Sequence, residues 1–195
     1  MSATLQIPSG PTIRVDIERT SAAIVAAARA LPTATLHEAG GRIGVMPSTI
    51  KPVSPTFRLC GPAVTVHSPG GDNLWLHRAI YVAQPGDVLV VHVSGVYDFG
   101  YWGEIMSCAA KARGLCIRGT GKDYGARGWV NFPTLFDNLT VNAGDLIVGD
   151  TDGVVAIPRQ RAAEVVAAAE QREAKEAAIL ERIRAGERTL EVYNF

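Results

Sequence analysis

An α/β fold is predicted by three features of the chain. Val88-Leu89-Val90-Val91 is a continuous apolar run of strand length, and a glycine-containing loop leads from it to a helix near Trp102-Gly103. Gly61 to His67 reads as an earlier strand that feeds a turn and a helix through Leu74, Leu76, Ile80 and Ala83. In the second half, Leu146-Ile147-Val148 and Val154-Val155-Ala156-Ile157 are short apolar strands ahead of one long helix.

At 195 residues the chain reads as a single domain over 1–195. An N-terminal arm and helix occupy 1–32. A C-terminal helix and tail occupy 158–195 and are a candidate oligomer contact. Met1 to Asp16 form the arm. Thr20 or Ser21 caps a helix through Ala22-Ala23-Ile24-Val25 to about Leu31, which Pro32 ends. Thr35 and Glu38 have capping-box spacing, and the short helix they would open reaches Gly40-Gly41. In the strand Gly61 to His67, Thr65 and His67 face away from Val64 and Val66. Asp72 or Asn73 caps the helix that follows Pro69-Gly70-Gly71. Ala143-Gly144-Asp145 before an apolar strand echoes Pro85-Gly86-Asp87, which we read as shared turn chemistry rather than a repeat. Asp152-Gly153 signals a tight hairpin. Pro158 suits a first helical position, and the last helix runs from about Arg159 to Ala185, with Gly186 as its stop. Ala162, Val165, Val166 and Ala169 form one apolar stripe on it. Ile179, Leu180 and Ile183 form a second, open to two readings: its own core or a neighbouring subunit.

Composition narrows the function. Nineteen basic and nineteen acidic residues cancel, so the total carries no electrostatic footprint for nucleic acid or an anionic membrane. No apolar run approaches the length of a membrane span. Cys60, Cys108 and Cys116 are odd in number and form no C-x-x-C, which argues against a disulfide framework or zinc knuckle. The expectation is a soluble cytoplasmic protein with small buried thiols.

The helix start at Trp102-Gly103 is the one feature with ligand-binding chemistry. Its free N–H groups can hold an anion, and Gly103 lets a ligand approach the backbone. His37, His67, His77 and His92 are scattered, none in metal-ligand spacing. Helix capping or solvation accounts for Asp72, Asp98 and Glu104. Gly119-Thr120-Gly121-Lys122 lacks the full phosphate-loop pattern and the strand that should lead into it.

Several segments together resemble the RraA-like proteins, over about residues 33–190. They are Leu36 to Val45, Gly61-Pro62-Ala63-Val64-Thr65-Val66, Gly71-Asp72-Asn73-Leu74 and Pro85 to Val91. Trp102-Gly103-Glu104-Ile105, Gly144 to Asp150 and Asp152-Gly153-Val154-Val155 complete the set. The resemblance implies a swivelling β/β/α domain, assembled as a homotrimer or hexamer. It also implies a divalent metal, magnesium or manganese, near a subunit boundary. The implied activity is aldolase or decarboxylase cleavage of a small 2-oxo acid, of the 4-hydroxy-4-methyl-2-oxoglutarate or oxaloacetate type, to give pyruvate. The substrate carboxylate would rest on the N–H groups of Gly103, Glu104, Ile105 and Met106. The family also contains non-catalytic regulators of ribonuclease E, the alternative function.

The family's Arg-Asp pair, in which Arg holds the keto oxygen and Asp the metal, has no counterpart dipeptide here. Two alignments compete. In one, Lys122-Asp123 stands in for the pair, with lysine lacking arginine's planar fork. In the other, Arg113 to Lys122 matches a later family segment, at the cost of one gap and with the spacing to Asn131, Pro133 and Gly144 kept. The second is the more economical. It implies that a strand, the Arg-Asp turn and a short helix are missing between Arg113 and Leu115, on the order of 20–25 residues, the size of one strand–turn–helix unit. Without that Asp the metal would lose its main protein ligand, and activity would be impaired.

Overall fold

The computed structural model describes residues 12–113 and 127–193. Its elements are α1 (Ala22–Ala28), α2 (Thr33–Ala39), β1 (Leu59–His67), α3 (Leu74–Val82), β2 (Val88–His92) and α4 (Glu104–Ala112). Then come β3 (Trp129–Val130), β4 (Thr134–Phe136), β5 (Leu139–Val141), β6 (Leu146–Gly149), β7 (Val154–Ile157), α5 (Ala162–Arg184) and α6 (Thr189–Val192).

The long strand β1 is the spine. Its second half pairs in parallel with β2, from Ala63↔Val88 to His67↔His92. Its first half pairs antiparallel with β6, from Leu59↔Gly149 to Pro62↔Leu146, and β6 continues to β7. The short β3 runs antiparallel to the end of β1, opposite β2.

Alternation along the strands sorts the core into layers. On one face, Val64, Val66 and Leu89 pack against Trp75, Leu76 and Ile80 of α3 and Met106 and Ala110 of α4. Leu146, Val148, Val155 and Ile157 pack against α1, α2 and the first turns of α5. On the other face, Ala63, Val90, Ile147 and Ala156 lie under Phe136 and Val141 of the β4–β5 hairpin. This gives helices on one side of a mixed sheet and a β-hairpin on the other, the β/β/α arrangement expected from the resemblance.

Most element starts follow their predicted chemistry. Ser21 caps α1 by accepting from the Ile24 N–H (3.4 Å). Asp72 accepts from the Leu74 N–H (2.7 Å) at the start of α3. Gly186 ends α5 with φ +100°. Three expectations are corrected. The capping box at Thr35 does not form: α2 begins at Thr33, and the Thr35 hydroxyl donates instead to Glu173 of α5 (2.6 Å). Glu38 likewise pairs with Arg172 of α5. The last helix begins only at Ala162, after a 3-10 turn over Arg159–Arg161. Cys108 is exposed on α4 rather than buried, and Cys116 lies outside the described residues.

Along α5 the first apolar stripe is buried as predicted. Ile179 and Ile183 in the second stripe are half-buried and Leu180 is exposed. The short α6 folds back against α5 and buries Val192. Among the described residues, no helix is long and apolar enough to cross a membrane.

Candidate functional site

The parallel strands β1 and β2 end side by side at His67 and His92, and each leads through a glycine-containing loop into a helix start. In open α/β sheets the crevice outside such carboxyl ends is where ligands bind. The two loops are knitted together by Tyr101. Its hydroxyl accepts from the Gly71 N–H (2.8 Å) and donates to the Val96 carbonyl (2.6 Å). The Asn73 amide donates to the Tyr101 carbonyl (3.3 Å). Ser68 donates to the Asp72 carbonyl (2.5 Å), closing the first loop on itself.

The predicted carboxylate cradle lies at the start of α4. Gly103 is the N-cap, in extended conformation, and no side chain caps the helix. The first-turn N–H groups of Glu104, Ile105 and Met106 therefore retain the capacity to bind an anion, aided by the helix dipole. The cap is held from below. The buried Trp102 indole donates to Ser107 Oγ (3.0 Å), which donates to the Gly103 carbonyl (3.1 Å). Met106 points into the core, with the Asn73 amide 3.6 Å from its sulfur. Glu104 and Ile105 are exposed, Ile105 at 81%.

On the opposite face of the same strand ends lies a group that sequence reasoning missed. The His67 ring stacks on Trp129 at 4.0 Å between centroids and 8° between planes. It also stacks on His92 at 5.3 Å, and His92 meets Phe136 edge-on at 5.6 Å. Burial, seconded by the neighbouring His92, pushes the His67 pKa down to about 4. Burial lowers His92 as well, against the opposing pull of Asp137. Both rings are therefore neutral at pH 7. Ser94 ties them together: its N–H donates to His92 Nδ1 (3.2 Å), while its Oγ lies 3.3 Å from His67 Nε2 and donates to the Ser68 carbonyl (3.0 Å). Ser94, Asn131 and Asp137 are three of the four non-glycine residues with positive φ among those described, at 55°, 64° and 51°. Such strain gathers where surrounding structure imposes a special geometry. Of the four histidines read as scattered in sequence, His67 and His92 are brought together. The signal that would have found them is that each is the last residue of a strand followed by a loop and a helix.

Magnesium or manganese calls for a set of hard oxygen ligands. The strand ends offer two imidazoles and a hydroxyl instead, a nitrogen-rich set. Among the described residues no three His, Cys, Asp or Glu side chains converge as a metal would need. Asp98 and Glu104, the nearest acids in sequence, are both exposed. Lys122 and Asp123 lie outside the described residues. The described residues thus do not fit the implied metal.

Comparison with known proteins adds a family and a length difference. The RraA-like family model, described as Aldolase/RraA, matches residues 21–120. A protein of Halalkalibacterium halodurans named "Putative 4-hydroxy-4-methyl-2-oxoglutarate aldolase" is 32% identical over 175 residues, covering 77% of this chain and 83% of its own. An uncharacterized protein of Methanocaldococcus jannaschii is 30% identical over 172 residues, covering 74% of this chain and 83% of its own. Because 77% of 195 residues is about 150, about 25 of the 175 aligned positions in the first comparison face a gap in this chain. Among solved structures, an uncharacterized protein from Pseudomonas syringae pv. tomato superimposes with a TM-score of 0.78 at 26% identity, over 97% of this chain and 99% of that one. Streptomyces coelicolor RraAS2, described as an unusual member of the RNase ES inhibitor RraA protein family, shares the fold at a TM-score of 0.70 and 23% identity. That match covers 85% of this chain and all of RraAS2 (100%).

Proposed function

The chain belongs to the RraA-like family, Aldolase/RraA, and from that premise we propose that it works as a non-catalytic binding protein of the ribonuclease-regulator kind. One observation carries this reading: the chain has no Arg-Asp dipeptide, and about 25 positions of its aligned relative have no counterpart in it. The economical alignment puts the loss between Arg113 and Leu115, where the family's strand, Arg-Asp turn and short helix belong. The retained parts are those that build a surface: the sheet, the helical layer and the long α5. Removing preorganised groups such as an Arg on a developing enolate typically costs about 10²–10³ in rate each. Loss of the metal-binding Asp compounds that cost. In this reading the protein acts through the surface of a homotrimer or hexamer.

A second reading, metal-dependent cleavage of a small 2-oxo acid, is favoured by the name of the 32% identical relative and by the uncapped start of α4 at Gly103–Met106. There the chain's own part is to seat the substrate carboxylate on the first-turn N–H groups. Pyruvate release from oxaloacetate and from 4-hydroxy-4-methyl-2-oxoglutarate, with magnesium or manganese and subtracting the rate of metal alone, separates the two. The binding reading expects no enzyme-dependent release from a chain whose native mass shows a folded oligomer. Metal-dependent turnover by that oligomer would establish the lyase reading instead. Sequencing the source gene across residues 105–125 tests the loss itself: neighbouring species carrying uninterrupted copies of this length would argue against a recent deletion.

A further inference from the structure

We propose that Ser94 and His67 form a nucleophile–base pair that accepts an acyl group from small activated carboxylic esters. The proposal is independent of the binding and lyase readings, because it uses neither the start of α4 nor a metal. Its basis is geometric. Ser94 is exposed on the turn leaving β2, and its Oγ lies 3.3 Å from His67 Nε2. Catalytic hydrogen bonds are often this long before substrate tightens them. The same hydroxyl has the Ser68 carbonyl at 3.0 Å, so a small rotation moves its proton from that carbonyl to the imidazole. The turn is rigid: the Ser94 N–H is held by His92 Nδ1, and φ of 55° is a conformation that serine rarely adopts without compensation. Gly95 follows with φ 73°. His67 is stacked between Trp129 and His92, which fixes the plane of its ring.

The chemistry balances without a co-reactant beyond the ester and water. Ser94 Oγ bonds to the carbonyl carbon and passes its proton to His67 Nε2. The carbon–oxygen bond to the leaving group then breaks, and the imidazolium returns the proton to the departing oxygen. Water later attacks the acyl-serine, with His67 again receiving and returning a proton. His67 Nδ1 is buried with no partner among the described residues, so no carboxylate fixes its tautomer, and the lowered pKa makes His67 a weak base. Deacylation is accordingly slow, and the covalent step is the quantity to measure.

The test uses the full chain in its native assembly with p-nitrophenyl acetate. The expected result is a burst approaching one nitrophenolate per chain and one acetyl group, mapped by peptide mass to Ser94. Ser94→Gly, which suits the positive φ and keeps the fold, abolishes the burst. His67→Asn slows it by about 10-fold or more. Circular dichroism confirms that each variant is folded, and if His67→Asn is not, Ser94→Gly and the mapped site decide. A folded wild-type chain with no burst, an acetyl group on any other residue, or an undiminished burst in folded Ser94→Gly or His67→Asn overturns the proposal.

Discussion

Pro85-Gly86-Asp87 and Ala143-Gly144-Asp145 turn the chain into β2 and β6 on one plan, yet they are held by different forces. In each, glycine takes a positive φ, 89° at Gly86 and 84° at Gly144. In each, the aspartate is buried and reaches back to accept an N–H three residues earlier, Gln84 at 2.8 Å and Asn142 at 2.8 Å. The difference lies in what else the carboxylate meets. Asp87 receives the guanidinium of Arg19 through two nitrogens at 2.9 Å, a charge-assisted fork. Asp145 receives a second backbone N–H, from Arg159 at 3.0 Å, and its pKa is raised because burial outweighs those hydrogen bonds. The glycines differ too. A side chain on Gly86 would meet open space, whereas on Gly144 it would meet the Glu18 carbonyl at 1.8 Å, where the segment leading into α1 crosses. Identical local grammar thus specifies a turn, and only the tertiary neighbour decides what the turn can tolerate.

The glycines give the sharpest break. Gly144→Ala is expected to destabilise by about 3–5 kcal/mol, since backbone strain and a backbone clash add. Gly86→Ala should cost only about 1–2 kcal/mol, the conformational penalty alone. Equal midpoint shifts in urea would show that the Glu18–Arg19 backbone does not pin Gly144. Next come the acids. Asp87→Asn strands a largely buried Arg19 and should cost about 3 kcal/mol, against about 1 kcal/mol for Asp145→Asn, which loses one neutral donor. Reversal of that order by denaturant titration would mean that Asp145, not Asp87, anchors its turn.

The smallest effects appear as opposite pH slopes. His67 has its folded pKa lowered from 6.5 to about 4, so its contribution is present above pH 6.5 and is lost as pH falls towards 4. With a half-exposed ring and solvent screening, that loss is on the order of 1–2 kcal/mol. Asp145, raised above 3.8, works the other way: its contribution is full below 3.8 and is lost as pH rises through its folded value. Melting temperatures between pH 4 and 7 should therefore lose part of their acid-side fall in His67→Asn and steepen slightly in Asp145→Asn. An unchanged profile in His67→Asn would place its titration outside this window.

Elements with a strong local signature were legible: the apolar run of β2, the alternation of β1, the aspartate cap of α3 and the stripe at Ala162 to Ala169. The shared turn chemistry at Asp87 and Asp145 was legible as well, because it is encoded within four residues. Where a side chain had a better long-range partner, the local signal misled, as when Thr35 bonded Glu173 rather than its own helix. The strands β3, β4 and β5, of two or three residues, carry too little periodicity to announce themselves. The His67–Trp129–His92 stack was invisible for another reason: its members come from three strands, and only their register brings them level.

The double duty of β1 sets an order of events during synthesis. Ala63 finds Val88 soon after both leave the ribosome, across one intervening helix. Leu59, four residues earlier on the same strand, must wait for Gly149. Loop closure over so long a stretch is slow, so the β1–α3–β2 unit forms first and offers its half-used strand as a template. Until β6 arrives, the first half of β1 is a bare edge, able to recruit the wrong strand from a crowded neighbour. The loss between Arg113 and Leu115 that the economical alignment implies would shorten that exposure.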